Sequence, residues 1–233
     1  MPSAEGNFGF IATENNGTIE NVINAASASA PTIGAGNKGL ICGVNAGVLA
    51  NCTNKGNLVA STTAVLEKDI CVGGVAGVND AKATMTSCVN EGTVTISLAG
   101  SKTLAAVAGV VGSSESEMVS CSNSGAVSLF CESAEGQADG CYKAVSVAGV
   151  TGILAWENGK VSDWTNTGNI TFRGGYTLGV QKVGSIVRFT SNVAGIVGAA
   201  YKCAFENCVN KGKITSHIGD IGNAASVYQT TSR

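Results

Sequence analysis

Charge is scarce in this sequence. Aspartate, glutamate, lysine and arginine make up 13% of the 233 residues, and the formal net charge is −2. An ordinary soluble domain carries about 25% charged residues. No basic run occurs, so no nucleic-acid partner is expected, because phosphate neutralisation needs clustered cations. Proline appears only twice, histidine once, and aromatics amount to 5%. Long apolar runs are also missing. No stretch approaches the ~18 consecutive apolar residues of a spanning helix, so no membrane insertion is expected. The opening "MPSAEGNFGF" lacks a positive segment followed by an apolar one, so no signal peptide is expected in it. Two readings follow, a cytosolic protein or a segment of a longer exported chain, and the repeats described next favour the second.

What is abundant is glycine, at 32 residues, roughly double the usual share of about 7%. With 44% hydrophobic residues the chain has enough apolar surface to fold. Small β-formers between glycines point to many short strands joined by tight turns.

The hexapeptide "NCVNKG" at 207–212 recurs as "NCTNKG" at 51–56, "SCVNEG" at 87–92, "SCSNSG" at 120–125 and "DWTNTG" at 163–168. Its second asparagine falls at Asn54, Asn90, Asn123, Asn166 and Asn210, with a degenerate copy at Asn24. Five residues earlier stand Ile19, Leu49, Met85, Met118, Val161 and Phe205, all apolar. Two residues earlier stand Val22, Cys52, Cys88, Cys121, Trp164 and Cys208. Two residues later come Ala26 and then Gly56, Gly92, Gly125, Gly168 and Gly212. A Gly-rich element precedes each unit, as in "GLICGVN", "GGVAGVN" and "AGVVGSS".

Sustained self-similarity of this kind is the signature of a stacked repeat. The order Gly-rich strand, short strand, Asn-x-Gly turn and third strand predicts an all-β protein. It is a right-handed parallel β-helix (β-solenoid) of about six coils, with three short strands per repeat, in a single domain over 1–233. Stacking would set the asparagines in an inward hydrogen-bonded ladder, and the following glycine would take a positive φ. The cysteine column Cys52, Cys88, Cys121 and Cys208 would fill the interior as small hydrophobes. Successive asparagines are 30, 36, 33, 43 and 44 residues apart, so the last two coils carry insertions, at about 129–146 and 172–192. Solenoid insertions gather on one face, often the binding face.

The "AGVVG"-type strands together with the "NC.N.G.I" turns resemble the GLUG-motif repeat family of bacterial cell-surface, adhesin-like proteins, over about residues 8–216. The resemblance implies an extracellular β-helical stalk or adhesive module inside a longer polypeptide. The family's motif is structural and implies no catalytic residue. Departures are the degenerate first unit, Trp164 in the cysteine column and the two insertions.

Nine cysteines raise the question of metal or disulfides. Buried thiols are the favoured reading, because in-register β-carbons point the same way and suit a disulfide poorly. CxxC-type zinc spacing is missing. Cys131 and Cys141, together in the first insertion, are the best disulfide candidates. Nucleophilic catalysis needs a base, and His217, the only histidine, lies beyond the last full repeat, while Asp69, Asp80, Asp139, Asp163 and Asp220 occupy unrelated repeat positions. Neither catalysis nor a cofactor is expected; a polysaccharide-active β-helix enzyme is the alternative from another class. Glu132, Glu135 and Asp139 match no calcium-loop spacing. Phe172, Arg173, Tyr176, Lys182 and Arg188 in the second insertion mix aromatic and cationic groups, and are the candidate binding residues for a host protein or glycan. End-to-end self-association into a filament is a further alternative, since solenoid ends leave strands unpaired.

Overall fold

A computed structural model describes residues 5–30, 32–101, 104–131, 144–174, 190–218 and 229–231. Its described elements are all β-strands. In the first coil these are β1 (Ala12–Asn15), β2 (Thr18–Glu20), β3 (Ile23–Asn24), β4 (Ala28–Ala30) and β5 (Gly36–Gly39). Each is the edge of a six-stranded parallel sheet that receives one strand from every later coil. The chain is thus a parallel β-helix of about six coils, as expected. Register holds from end to end: Asn24, Asn54, Asn90, Asn123, Asn166 and Asn210 are direct partners in the β3 sheet.

Each coil is divided more finely than three strands. The Gly-rich element splits at a bend, so that Ile70–Gly73 joins the β5 sheet and Ala76–Asn79 the β1 sheet. The Asn-x-Gly turn also contributes a two-residue strand of its own. Both divisions follow from glycine and asparagine at the corners, where the backbone changes direction without losing its inter-coil hydrogen bonds.

The interior is two apolar compartments. One lies between the β4 and β5 sheets and holds Leu58, Ile70, Val94, Ile96, Val107, Leu129 and Phe172. The other lies inside the β1, β2 and β3 sheets and holds Leu49, Cys52, Met85, Cys88, Met118, Cys121 and Trp164. Between them runs the asparagine ladder, packed against the glycines of the β5-to-β1 bend. A β-carbon on Gly74 would lie 2.2 Å from Asn90 Oδ1, and one on Gly109 2.2 Å from the Asn123 carboxamide. Gly149 and Gly195 meet Asn166 and Asn210 in the same way. From the third coil on, the waist is therefore a polar column faced by residues without a side chain, while Leu40 holds the corresponding bend position one coil earlier.

The expected positive φ at the turn glycine is not observed. Asn21, Asn51, Ser87, Ser120, Asp163 and Asn207, the first residue of each unit, take it instead, with φ between 51° and 61°. Short polar side chains tolerate the left-handed region. Gly56, Gly92, Gly125, Gly168 and Gly212 are needed for closeness: a β-carbon there would lie 1.8–2.0 Å from a carbonyl of the preceding coil.

Candidate functional site

Every interior carboxamide of the ladder serves two coils. Nδ2 of Asn54, Asn90, Asn123 and Asn166 donates to Oδ1 of the next asparagine at 2.7–2.8 Å. The second proton goes to the carbonyl two residues on, at 2.7–2.8 Å. Asn54 Oδ1 also accepts the Gly56 amide at 3.2 Å. A buried amide with its donors paired costs little to keep, whereas an orphaned one is expensive. Asn54, Asn90, Asn123 and Asn166 are at most 1% exposed. Asn210 differs from the inward expectation for it: it accepts from Asn166 but lies exposed, since it belongs to the last coil.

A second ladder was not anticipated. Asn15 Nδ2 donates to Asn45 Oδ1 at 2.7 Å, and Asn45 Nδ2 to Asn79 Oδ1 at 2.8 Å. Asn79 then donates to Ser114 Oγ at 3.1 Å and Ser116 Oγ at 2.8 Å. Leu154 takes the position in the fifth coil, where the column becomes apolar. The signal was the "GVN" ending of two Gly-rich elements, a pattern lost in "GSS" and "GIL".

The cysteine column is interior, with Cys52, Cys88 and Cys121 fully buried and Cys208 half-buried. Each of these sulfurs donates to the carbonyl two residues before it, and all four thiols are free. Trp164 fills the same column in the fifth coil, its Nε1 donating to Met118 O at 3.1 Å. Burial pushes the Cys121 thiol up to about 12 from 9.0. Cys88 is pushed up by its hydrogen bond to Cys52 first and by burial second. Cys88 and Cys121 are inert packing groups, while the hydrogen bond from Cys88 draws the Cys52 thiol downward. Cys131 is buried at the end of its β4-sheet strand, and its pairing with Cys141 lies outside the described residues.

The candidate binding residues separate. Phe172 is a core residue, 1% exposed and in register with Leu129, because alternation along Ile170–Gly174 turns it inward. It is withdrawn from the binding set. Arg173 points outward, between Phe130 and His217 on the face of the β4 sheet. Tyr176, Lys182 and Arg188 lie outside the described residues, as do Glu132, Glu135, Asp139 and Asp220. Asp69, Asp80 and Asp163 sit on three different edges of the coil, after β4-, β1- and β2-sheet strands respectively.

Both insertions are shorter than expected, because Leu129–Cys131 and Phe172–Gly174 belong to β4-sheet strands and Ala144–Val145 to a β5-sheet strand. Each leaves the β4 sheet and returns to the β5 sheet. Their departure points, Cys131 and Gly174, are paired neighbours, and so are their return points, Ala144 and Thr190.

Together the fold and its ladders define a parallel β-helix with asparagine-lined waists. The chain matches no protein-family model, and no curated protein and no solved structure is similar to it.

Proposed function

We propose that the chain is a non-enzymatic β-helical module of a bacterial cell-surface protein, a stiff stalk segment that binds a host protein or glycan through one edge. The cell-surface setting rests on the resemblance to GLUG-motif repeats. The binding edge rests on one observation, the pairing of Cys131 with Gly174 and of Ala144 with Thr190. It sets the ends of the two longest connections side by side on adjacent coils. The outward column Phe130, Arg173 and His217 lies beside them, an aromatic and cationic mix suited to recognition. The repeated positions are committed to core and ladder, so specificity is left to what departs from the repeat.

Replacing residues 132–143 and 175–189 with connections as short as 102–103 tests this. Surface loops tolerate such changes, so circular dichroism and thermal unfolding should stay near the parent's. Binding to any ligand found by screening glycan and host-protein arrays should disappear. A shortened variant that binds as the parent does would sink the binding edge and leave a passive stalk.

A second reading is end-to-end association, favoured by the last coil. Phe205 is 47% exposed where Leu49, Met85, Met118 and Val161 in its column are fully buried. Asn210 Nδ2 bonds only Gly212 O among the described residues, leaving a donor for one more asparagine. Gln229–Thr231 is the sixth and last described strand of the β5 sheet, so all five sheets end on this coil and a second copy would extend each of them. Sedimentation that shows only monomer at high micromolar concentration would remove this reading.

A further inference from the structure

A groove of about 950 Å³ runs outside the first four coils, beside the β5-to-β1 bend. Gly77 and Gly112 bring the two sheets into backbone contact there: a β-carbon on either would lie 2.5 Å from an amide nitrogen of the facing strand, Lys38 or Val72. The groove's charge is one-sided. Among the described residues Glu5, Glu67, Asp69 and Glu115 line it together with one cation, Lys68, which is held by Glu5 at 3.1 Å, and Asp69 Oδ1 accepts the Leu104 amide at 3.0 Å. The carboxylates come from different levels of the stack: before the first coil, on the second coil's β4-to-β5 connection, and after the fourth coil's β1-sheet strand. No three His, Cys, Asp or Glu side chains among the described residues converge as a metal site would require. Charges strung out in this way match a string of cations better than a single ion.

The wall supplies a second, independent observation. Cys71 lines the groove at 5% exposure. Cys42, Cys52, Cys88 and Cys121 all donate to carbonyls, whereas the Cys71 thiol makes no such bond among the described residues. Beside it Val78 and Leu104 are half-buried apolar surface. A carboxylate rim over an apolar wall with an unspent donor suits a long side chain that lays an alkyl stem down and keeps its charged head at the edge.

We propose that this groove binds an extended peptide segment carrying basic side chains. Stacked strands are about 4.8 Å apart, and an extended peptide rises about 3.4 Å per residue, so side chains on one of its faces recur every ~7 Å. Lysines on one face of the peptide then meet carboxylates from different levels while their stems cover Val78 and Leu104. This site lies on the same β4-to-β5 side of the coil as the departure and return points of the insertions but at earlier levels of the stack, and the variants below separate the two.

Fluorescence anisotropy with a labelled alternating Ala-Lys octapeptide tests the proposal. The parent should bind it and should ignore the matching Ala-Glu peptide. Glu67→Gln with Glu115→Gln should weaken binding tenfold or more. Glu91→Gln with Glu157→Gln, which changes net charge equally but lies elsewhere, should bind as the parent does. The Ala-Lys peptide should also slow alkylation of Cys71, mapped by mass spectrometry, without slowing that of Cys203. Absence of binding by the parent, equal weakening in both double variants, or an unchanged Cys71 alkylation rate would each overturn the proposal.

Discussion

Asn123 donates from Nδ2 to Oδ1 of Asn166 at 2.7 Å, across 43 residues of chain and an entire insertion. The same bond joins Asn90 to Asn123 over 33 residues at the same length. Loop length thus varies freely while the ladder does not, so the asparagines set the register and the connections accommodate it.

Replacing one ladder member should show this directly. Asn123→Leu leaves one of the two Asn90 Nδ2 protons without its acceptor and takes away the Asn123 donor to Asn166 Oδ1. The expected loss is about 1–3 kcal/mol, measured by urea denaturation. Asn210→Leu, at the exposed end, should cost clearly less. Equal losses at the two positions would deny the ladder its role.

The waist makes a steric prediction. Gly109→Ala would force a methyl group to 2.2 Å from the Asn123 carboxamide. Overpacking of this kind costs about 1–3 kcal/mol. Gly17→Ala, where no atom outside the adjacent residues lies within 4 Å, is the control and should stay near the parent's stability.

Alkaline pH should destabilise the fold. Burial pushes the Cys121 thiol up to about 12, and burial followed by Asp69 does the same to Cys71, from 9.0 in each case. A thiol whose pKa rises on folding stabilises the native state fully below its unfolded value. That contribution is lost as pH climbs toward the folded value. Stability measured under reducing conditions should therefore be level from pH 7 to 9. From there to pH 12 it should fall by up to about 1.4 kcal/mol per pH unit for each such thiol. Cys121→Ala should lower stability at pH 7 but make the alkaline slope shallower; an unchanged slope would refute the assignment.

Thiol chemistry separates interior from end. Cys203 and Cys208 are half-buried in the last coil, while Cys52, Cys88 and Cys121 are fully buried. A maleimide reagent should label the first two in native protein and the other three only after unfolding. Mass spectrometry that finds Cys52 linked to Cys88 would contradict the packing of that column.

Much of the coil was legible because the hexapeptide repeats an inward pattern without insertion from Leu49 to Leu58, and five times more along the chain. The first ladder, the cysteine column and the lengths of the connections all follow from that register. The second ladder was hidden because it has only three asparagines, Asn15, Asn45 and Asn79, before serine takes over. The turn glycines misled for another reason. Glycine serves both positive φ and close approach, and sequence spacing cannot distinguish a Gly56 pressed on the Ala26 carbonyl from a Gly56 with left-handed backbone. Phe172 was misplaced because the insertion was counted from the length excess, which overran the inward alternation of its strand. The acid-lined groove had no signature at all, since Glu5, Glu67 and Glu115 share no repeat position.

The central claim is that buried asparagine side chains of successive coils bond one another. Nuclear Overhauser contacts between side-chain amide protons of selectively labelled asparagine test it most directly. The account predicts an unbroken series of contacts from Asn54 through Asn90 and Asn123 to Asn166, with slow exchange of these protons with solvent. Contacts confined to each asparagine's own turn, with rapid exchange, would contradict it.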